Sequence, residues 1–481
     1  MKENIIGRKE EQNILERVYH SKCAEFVAVC GRRRVGKTFL IREFYEEELV
    51  FSVSGLAQGN RNAQIKNFYQ TLQRYDSSIN SAPHDWLDVF HLLITYLSSL
   101  SVDRKVILLD EMPWMDTPRS GFIAALEHFW NGWASARKDI VLIVCGSATS
   151  WMMDKLINNK GGLYNRLTKR IFLEPFTLHE TELLLESNGF HLSRYEIAEC
   201  YMIMGGIPFY LNLLRSDKSL AQNIDLLFFN TRGELHDEFS NLYAALFKNS
   251  NDYVAVVSAL SKKSGGMTRD EIQKMTGLSS GGGLTEILKN LDACGFIRKY
   301  NQYSDNLKDN LYQLTDFFTL FHFKFIKDHS MRDLHFWSSI QRTAVFYSWA
   351  GHTFELLVLA HISQIKQVLG ISGVLTNTFA WRMNQTEESF GAQIDLVIDR
   401  QDQTINLCEI KYAEDEYLIN ADYEKTLRRK VDVFRRHAAS PRKSLQLTMI
   451  TTFGVAKGKY NGVYQNEIVL DDLFQMPAGT K

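Results

Sequence analysis

Cysteine is scarce in this 481-residue chain. The six, at positions 23, 30, 145, 200, 294 and 408, form no Cys-x-x-Cys pair and no cluster with histidine. That scatter argues against a disulfide framework and a structural zinc site, and it suggests a reducing, cytoplasmic setting. Proline numbers only 7, while 45% of residues are hydrophobic and 23% charged, as in a soluble globular protein. A net charge of −1 advertises neither nucleic acid nor an acidic partner, so any basic site must be local. No window approaches the ~18 continuous apolar residues of a membrane span, and the opening MKENIIGRKEEQ lacks a signal peptide's apolar stretch, so no membrane partner is expected. The length exceeds one ordinary core and predicts about three domains.

What is present begins with Gly31-x-x-x-x-Gly36-Lys37-Thr38. Before it, Phe26-Val-Ala-Val-Cys30 is short, apolar and β-branched enough for a buried parallel strand; after it, residues 38–45 show helical apolar spacing. Strand, glycine-bearing loop and helix are the context a P-loop requires. Gly31 and Gly36 let backbone N–H groups turn toward phosphate, Arg34 lies within the loop, Lys37 reaches the β/γ-phosphates of ATP, and the Thr38 hydroxyl ligates Mg²⁺. An acid must also hold the metal, and Val106-Ile-Leu-Leu-Asp110-Glu111 supplies two. Asp110 is the expected metal-side acid and Glu111 the general base on the attacking water. A third apolar strand, 140–145, runs into Gly146-Ser147-Ala-Thr149. Ser147, with Thr149 second, would hydrogen-bond the γ-phosphate or the water; an ordinary helix cap is the alternative.

These residues resemble a family. Asn4-Ile-Ile-Gly7-Arg8, GRRRVGKT, VILLDE, CGSATS, Leu163-Tyr-Asn-Arg166 and Gly205-Gly-Ile-Pro208, in that order, look like the archaeal-type ATPases of the STAND branch of AAA+ P-loop proteins. The resemblance spans roughly residues 1–240. It implies that Gly7 and Arg8 lie near the adenine, that Arg166 senses phosphate, and that Pro208 sits in a helical lid close to the nucleotide. Arg166 reads equally as a helix-face arginine in a salt bridge, and Pro208 as a plain turn. A homo-oligomer through the ATPase domain, with Arg33, Arg34 or Arg166 acting across the boundary, is compatible with the sequence.

Residues 252–300 change texture. Helical spacing over 253–260, a Thr268 cap before Glu271-Ile272, a glycine-rich turn, Leu284, Ile287, Leu288 and Leu291 on one helical face, and a strand over 295–300 resemble a winged helix-turn-helix. Residues 284–294 offer one lysine and two acids, a poor surface for phosphate, so a rigid connector is the favoured role over a DNA reader.

The last third carries Glu355 on a helical pattern, Asp395 in the strand pattern 391–398, and Glu409-Ile-Lys411 in a strand over 405–411. A period of two puts Glu409 and Lys411 on one face, and strand pairing would bring Asp395 beside them. Converging carboxylates are costly unless a cation offsets them, so Glu355, Asp395 and Glu409 form a candidate Mg²⁺ site, with Lys411 on the attacking water. The pattern resembles the PD-(D/E)xK restriction-endonuclease-like nucleases over about 345–455, with Gln393 where relatives often show an acid. Lys425, Arg428, Arg429 and Arg436 would line one helix face as a phosphate track, or simply face water.

The expected architecture is therefore a multidomain α/β protein. It comprises a P-loop AAA+ core with a parallel sheet (1–175), a helical lid (176–245), a winged helix-turn-helix (246–320) and a restriction-endonuclease-like α/β domain (321–481). The expected function is an ATP- and Mg²⁺-dependent switch coupled to a nuclease acting on DNA; by resemblance alone the setting is prokaryotic defence or genome maintenance. The rivals are a signalling ATPase whose C-terminal domain binds without cleaving, and a winged-helix regulator with an ATP input.

Overall fold

The computed structural model describes residues 4–158, 161–279, 281–301, 310–329, 333–383, 391–438 and 442–476. The chain divides into two compact units, Met1–Pro175 and Phe176–Lys481.

The first unit is built on strands β1 (Glu25–Cys30), β2 (Leu49–Ser54), β3 (Lys105–Asp110), β4 (Ile140–Gly146) and β5 (Lys169–Phe172). All four pairings are parallel and the order is β2-β3-β4-β1-β5. Every residue of β1, β3 and β4 is buried, which explains their unbroken apolar runs: a parallel sheet covered on both faces has no wet side on which to alternate. Because the strands run the same way, their C-terminal ends share one edge. The loop after β1, the Asp110-Glu111 pair after β3 and Ser147 after β4 therefore meet there, with β4 separating the first two.

In the second unit, helices Leu178–Ser187 and Arg194–Met204 each open on a capping box, Thr177 with Glu180 and Ser193 with Glu196. Next come helix Ser250–Leu260, β6 (Met267–Thr268), helix Arg269–Thr276 capped by Thr268, helix Gly282–Ala293, β7 (Ile297–Asn301) and β8 (Asn310–Leu314). These strands form an antiparallel sheet in the order β6-β8-β7, with β7 at an edge. Leu284, Ile287, Leu288 and Leu291 are all buried on the face that their spacing predicts.

Helix Ala344–Ala360 then leads to β9 (Thr376–Met383), β10 (Ala392–Arg400), β11 (Thr404–Lys411), helix Ala421–His437, β12 (Ser444–Thr451) and β13 (Asn466–Val469). The sheet order is β13-β12-β11-β10-β9; β9–β10 and β10–β11 pair antiparallel, β11–β12 and β12–β13 parallel. The helix between β11 and β12 makes the crossover that a parallel neighbour needs. It buries Leu427 and Phe434 against Leu407, Met449 and Trp381.

Candidate functional site

At the first unit's C-terminal sheet edge, the loop after β1 has Gly31 at φ 155°, Arg34 at 74° and Gly36 at 92°. A Cβ at Gly31 would lie 2.3 Å from the Leu173 carbonyl oxygen, so a larger residue would force the loop and the segment after β5 apart. Gly36 precedes helix Lys37–Phe44 and brings no side-chain cap, which leaves the first-turn N–H groups available to an anion. Lys37 is buried, its Nζ 2.9 Å from the carbonyl oxygens of both Gly31 and Arg32. Burial lowers its pKa, against the charges of Glu111 and Asp110.

Asp110 is held by neutral donors. Thr38 Oγ1 lies 3.1 and 3.0 Å from its two oxygens, Ser54 Oγ donates at 3.1 Å and the Glu111 N–H at 3.0 Å. Glu111 has a left-handed backbone, φ 45°, and its Oε2 accepts from Ser147 N (3.2 Å) and Oγ (2.9 Å). Ser147 therefore orients Glu111 in this structure, where the sequence suggested a direct bond to phosphate or water. Neither Ser147 nor Thr149 caps the following helix, whose N-cap is Ala148; the buried Thr149 hydroxyl has no hydrogen-bond partner among the described residues. A hydroxyl and a carboxylate facing each other across 3 Å fit an octahedral Mg²⁺, with Thr38 and Asp110 as the residues that would hold it.

Gly7 (φ 62°) and Arg8 (φ 53°) turn the chain into helix Lys9–Tyr19. The Arg8 guanidinium donates to Val35 O (3.3 Å) and Glu174 O (2.7 Å), tying the N-terminal turn to the phosphate loop. Arg166 is exposed in a turn after Leu163. Pro208 belongs to the second unit, at the first position of the short helix Pro208–Leu211.

The second cluster of predicted residues lies on β10 and β11. Asp395 and Leu396 oppose Ala380 alone, a β-bulge between the Ile394–Trp381 and Val397–Phe379 pairs. Asp395 Oδ2 accepts from Ile410 N at 3.0 Å. Burial, with the charges of Glu409 and Glu355, pushes Asp395 up to about 7. Glu355 lines the same 330 Å³ cavity as Asp395. Glu409, 2% exposed, bonds Lys411 Nζ at 2.9 Å. Two further partners, both absent from the sequence expectation, complete its shell: Lys430 Nζ at 2.6 and 2.8 Å and Tyr423 Oη at 2.8 Å. Burial alone would raise Glu409; Lys411 and Lys430 outweigh it and hold the carboxyl below its ordinary value.

Spacing carries the missed signal. Tyr423, Leu427, Lys430 and Phe434 recur at intervals of three and four, so the lysine shares the buried helix face. Among the described residues no three His, Cys, Asp or Glu side chains come together to hold a metal, so Glu355, Asp395 and Glu409 do not form a shared ligand set here. The physical reason is that two ammonium groups already neutralise Glu409. Lys425, Arg428, Arg429 and Arg436 are exposed, but Asp422 pairs with Lys425 at 3.5 Å and Glu424 with Arg428.

Beside Lys411, Tyr412 Oη lies 2.5 Å from Tyr195 Oη and donates to Glu199 Oε1 at 3.0 Å. Burial pushes Glu199 up to about 7.

The comparisons with known proteins bear on the first centre. Residues 6–214 match the family described as "ATPase domain predominantly from Archaea". This chain carries an archaeal-type ATPase domain. The ATPase domain's P-loop, Asp110 and Glu111 all fall inside the matched span. Beyond the domain, the chain is 22% identical over 437 residues to an uncharacterized protein, MJECL04, of Methanocaldococcus jannaschii, covering 90% of this chain and 91% of that one. It is 44% identical over 46 residues to the uncharacterized ATP-binding protein MJ0423 of the same organism, covering 10% and 78%. The solved Walker-type ATPase PABY2304 of Pyrococcus abyssi is similar over 67% of this chain and 97% of its own, at 19% identity and a TM-score of 0.47.

Proposed function

We propose that this archaeal-type ATPase is a nucleotide-driven switch whose second unit carries a Mg²⁺-dependent nuclease centre acting on DNA, in a prokaryotic defence setting. In the ATPase half, the first turn after Gly36 and Lys37 receive the triphosphate. Thr38 and Asp110 would hold Mg²⁺, which would supply charge to screen the phosphates. Glu111, oriented by Ser147, accepts the proton of the attacking water. Gly7, Arg8, Arg34 and Arg166 complete the nucleotide surroundings in this reading.

For the second unit, the observation that carries the reading is the meeting of Asp395 with Glu409-Ile410-Lys411 across the β10–β11 pairing. An acid lifted to about 7 by burial, and further by Glu409 and Glu355, stands beside a second acid that needs two ammonium groups. Such crowding of like charge is costly and recurs at catalytic centres. Asp395 and Glu409 would hold the cation, with Glu355 at the rim of the same cavity. Lys411 would steady the attacking water and the developing phosphate charge. The helix–strand–helix–helix–hairpin module would be a winged helix serving as connector, and the 421–437 helix the phosphate track.

Plasmid incubated with Mg²⁺ or Mn²⁺, with and without ATP, should be nicked by the wild type and left intact by Lys411→Ala. A second reading, an ATPase whose C-terminal domain binds a partner without cleaving, is favoured by one observation: Lys430 already fills the place beside Glu409. It prevails if wild type and Lys411→Ala are equally inert while ATP turnover persists.

A further inference from the structure

Two adjoining cavities, of 330 and 480 Å³, run between the edge strand β7 and the edge strand β9 of the second unit. Arg298, Tyr300, Leu359 and Ala380 line both, so the two form one continuous cleft. Its inner end is Asp395 with Glu355, and Arg382 and Gln393 stand beside them. Its outer end adds Lys299 and Phe379.

Arg298 is the feature that calls for a ligand. Its Nε donates to Gln313 Oε1 at 2.7 Å, and Gln313 is itself fixed by a 2.6 Å bond to the Ser264 carbonyl oxygen. The guanidinium lies 4.8 Å from the Tyr300 ring, whose hydroxyl donates to Gly265 O at 2.6 Å. Every neighbour of this cation is thus anchored, yet Arg298 makes no ion pair with a carboxylate among the described residues. Glu355, in the same cavity, acts on this half-buried cation without an ion pair between them, so the guanidinium's remaining donors can take a ligand's anion. Exposed Lys299 and Arg382 repeat the positive charge along the cleft, and Tyr300, with one face under Arg298, and the half-buried Phe379 add aromatic rings to its lining.

Cations spaced along a groove with aromatic rings in its lining suit a single-stranded nucleic acid. Phosphates take the cations and unpaired bases take the rings, whereas a duplex keeps its base faces stacked and out of reach. We infer that the β7–β9 cleft binds a single strand and feeds its backbone to Asp395, with Arg298 as the central phosphate-positioning residue. This rests on the nuclease reading for the fate of the strand, though not for its binding. The β6–β8 module then acts as one wall of the substrate channel, and it needs no recognition helix in a major groove to take part.

The test is fluorescence anisotropy of the full chain in EDTA, with a labelled oligodeoxynucleotide offered as a single strand and as its duplex. The wild type should prefer the single strand. Arg298→Ala and the exposed Lys299→Glu should each weaken single-strand binding about tenfold and flatten the log K against log salt slope by roughly 0.7 per cation removed, with duplex binding unmoved. Lys299→Glu, at an exposed position, serves if Arg298→Ala melts early. If both variants bind like wild type, or single strand and duplex bind alike, the cleft assignment falls even where Lys411-dependent cleavage is seen. Single-strand binding that drops in the variants, in a chain with no Lys411-dependent cleavage, keeps the cleft and removes the nuclease reading.

Discussion

Asp110 and Glu111 at one end of the chain, and Asp395 and Glu409 at the other, are acid pairs in opposite electrostatic states. Among the described residues the first pair is held by hydroxyls and main-chain N–H groups alone, from Thr38, Ser54, Ser147 and Glu111 itself. Neutral donors fix where these carboxylates point, and the buried Lys37 ammonium interacts with both without a direct ion pair among the described residues. Glu409 instead has two ammonium groups and a phenol, while Asp395 has one N–H among the described residues and is driven toward protonation by burial and by two acidic neighbours. At one centre a hydroxyl, Thr38, faces the acid at 3.0 and 3.1 Å. At the other, Lys430 occupies the place beside Glu409 at 2.6 Å.

The sharpest break in this comparison is Glu111→Gln. The amide can still meet Ser147 but cannot take a proton, so ATP turnover should fall by about 10²–10⁴ while nucleotide binding persists. Phosphate release and binding of a fluorescent ATP analogue separate the two effects. Turnover within about threefold of wild type would mean that Ser147 orients Glu111 for something other than catalysis.

At the other centre the informative change is Lys430→Ala. It leaves Glu409 buried with Lys411 alone, at a cost of about 2–4 kcal/mol in unfolding free energy, less than full orphaning because one ammonium remains. Millimolar Mg²⁺ should then raise the melting temperature of the variant more than that of wild type, since the cation replaces the missing charge. Equal shifts in both proteins would place the ion elsewhere.

How legible each centre was follows from the reach of its signals. The P-loop, the two acids and the strands around them lie in short contiguous runs, and a parallel sheet brings every strand end to one edge, so local pattern was enough. The Glu409–Lys411 pairing followed from a period of two. The bulge at Asp395–Leu396 did not, because an extra residue on one strand shows only against its partner, β9. Lys430 was hidden by its company: among Arg428, Arg429 and Lys425 it reads as one more surface cation, and only the register of Leu427 and Phe434 turns it inward. Ser147 was seen as a site residue, but its bond to Glu111 was not, since nothing in CGSATS reveals that Glu111 comes within 3.2 Å.

Glu199 supplies the control that both centres lack, a carboxylate of the second unit that accepts from a hydroxyl, Tyr412, and among the described residues has no ion pair, Arg342 acting on it only weakly against burial. Burial lifts it from 4.5 to about 7, so the folded chain takes up a proton that the unfolded chain has already lost. Between pH 4.5 and about 7 the folded state therefore binds more protons, and stability must fall as pH rises through that window and level off above it. Glu199→Gln mimics the protonated acid and removes the slope. The two proteins should melt together below pH 4.5, and above about pH 7 the variant should be more stable by about 1–2 kcal/mol, discounted for partial exposure. Parallel melting curves across the whole range would show that a tyrosine hydroxyl can keep a buried acid ionised. The contrast drawn between neutral donors and ammonium groups would then lose its force at Asp110 as well.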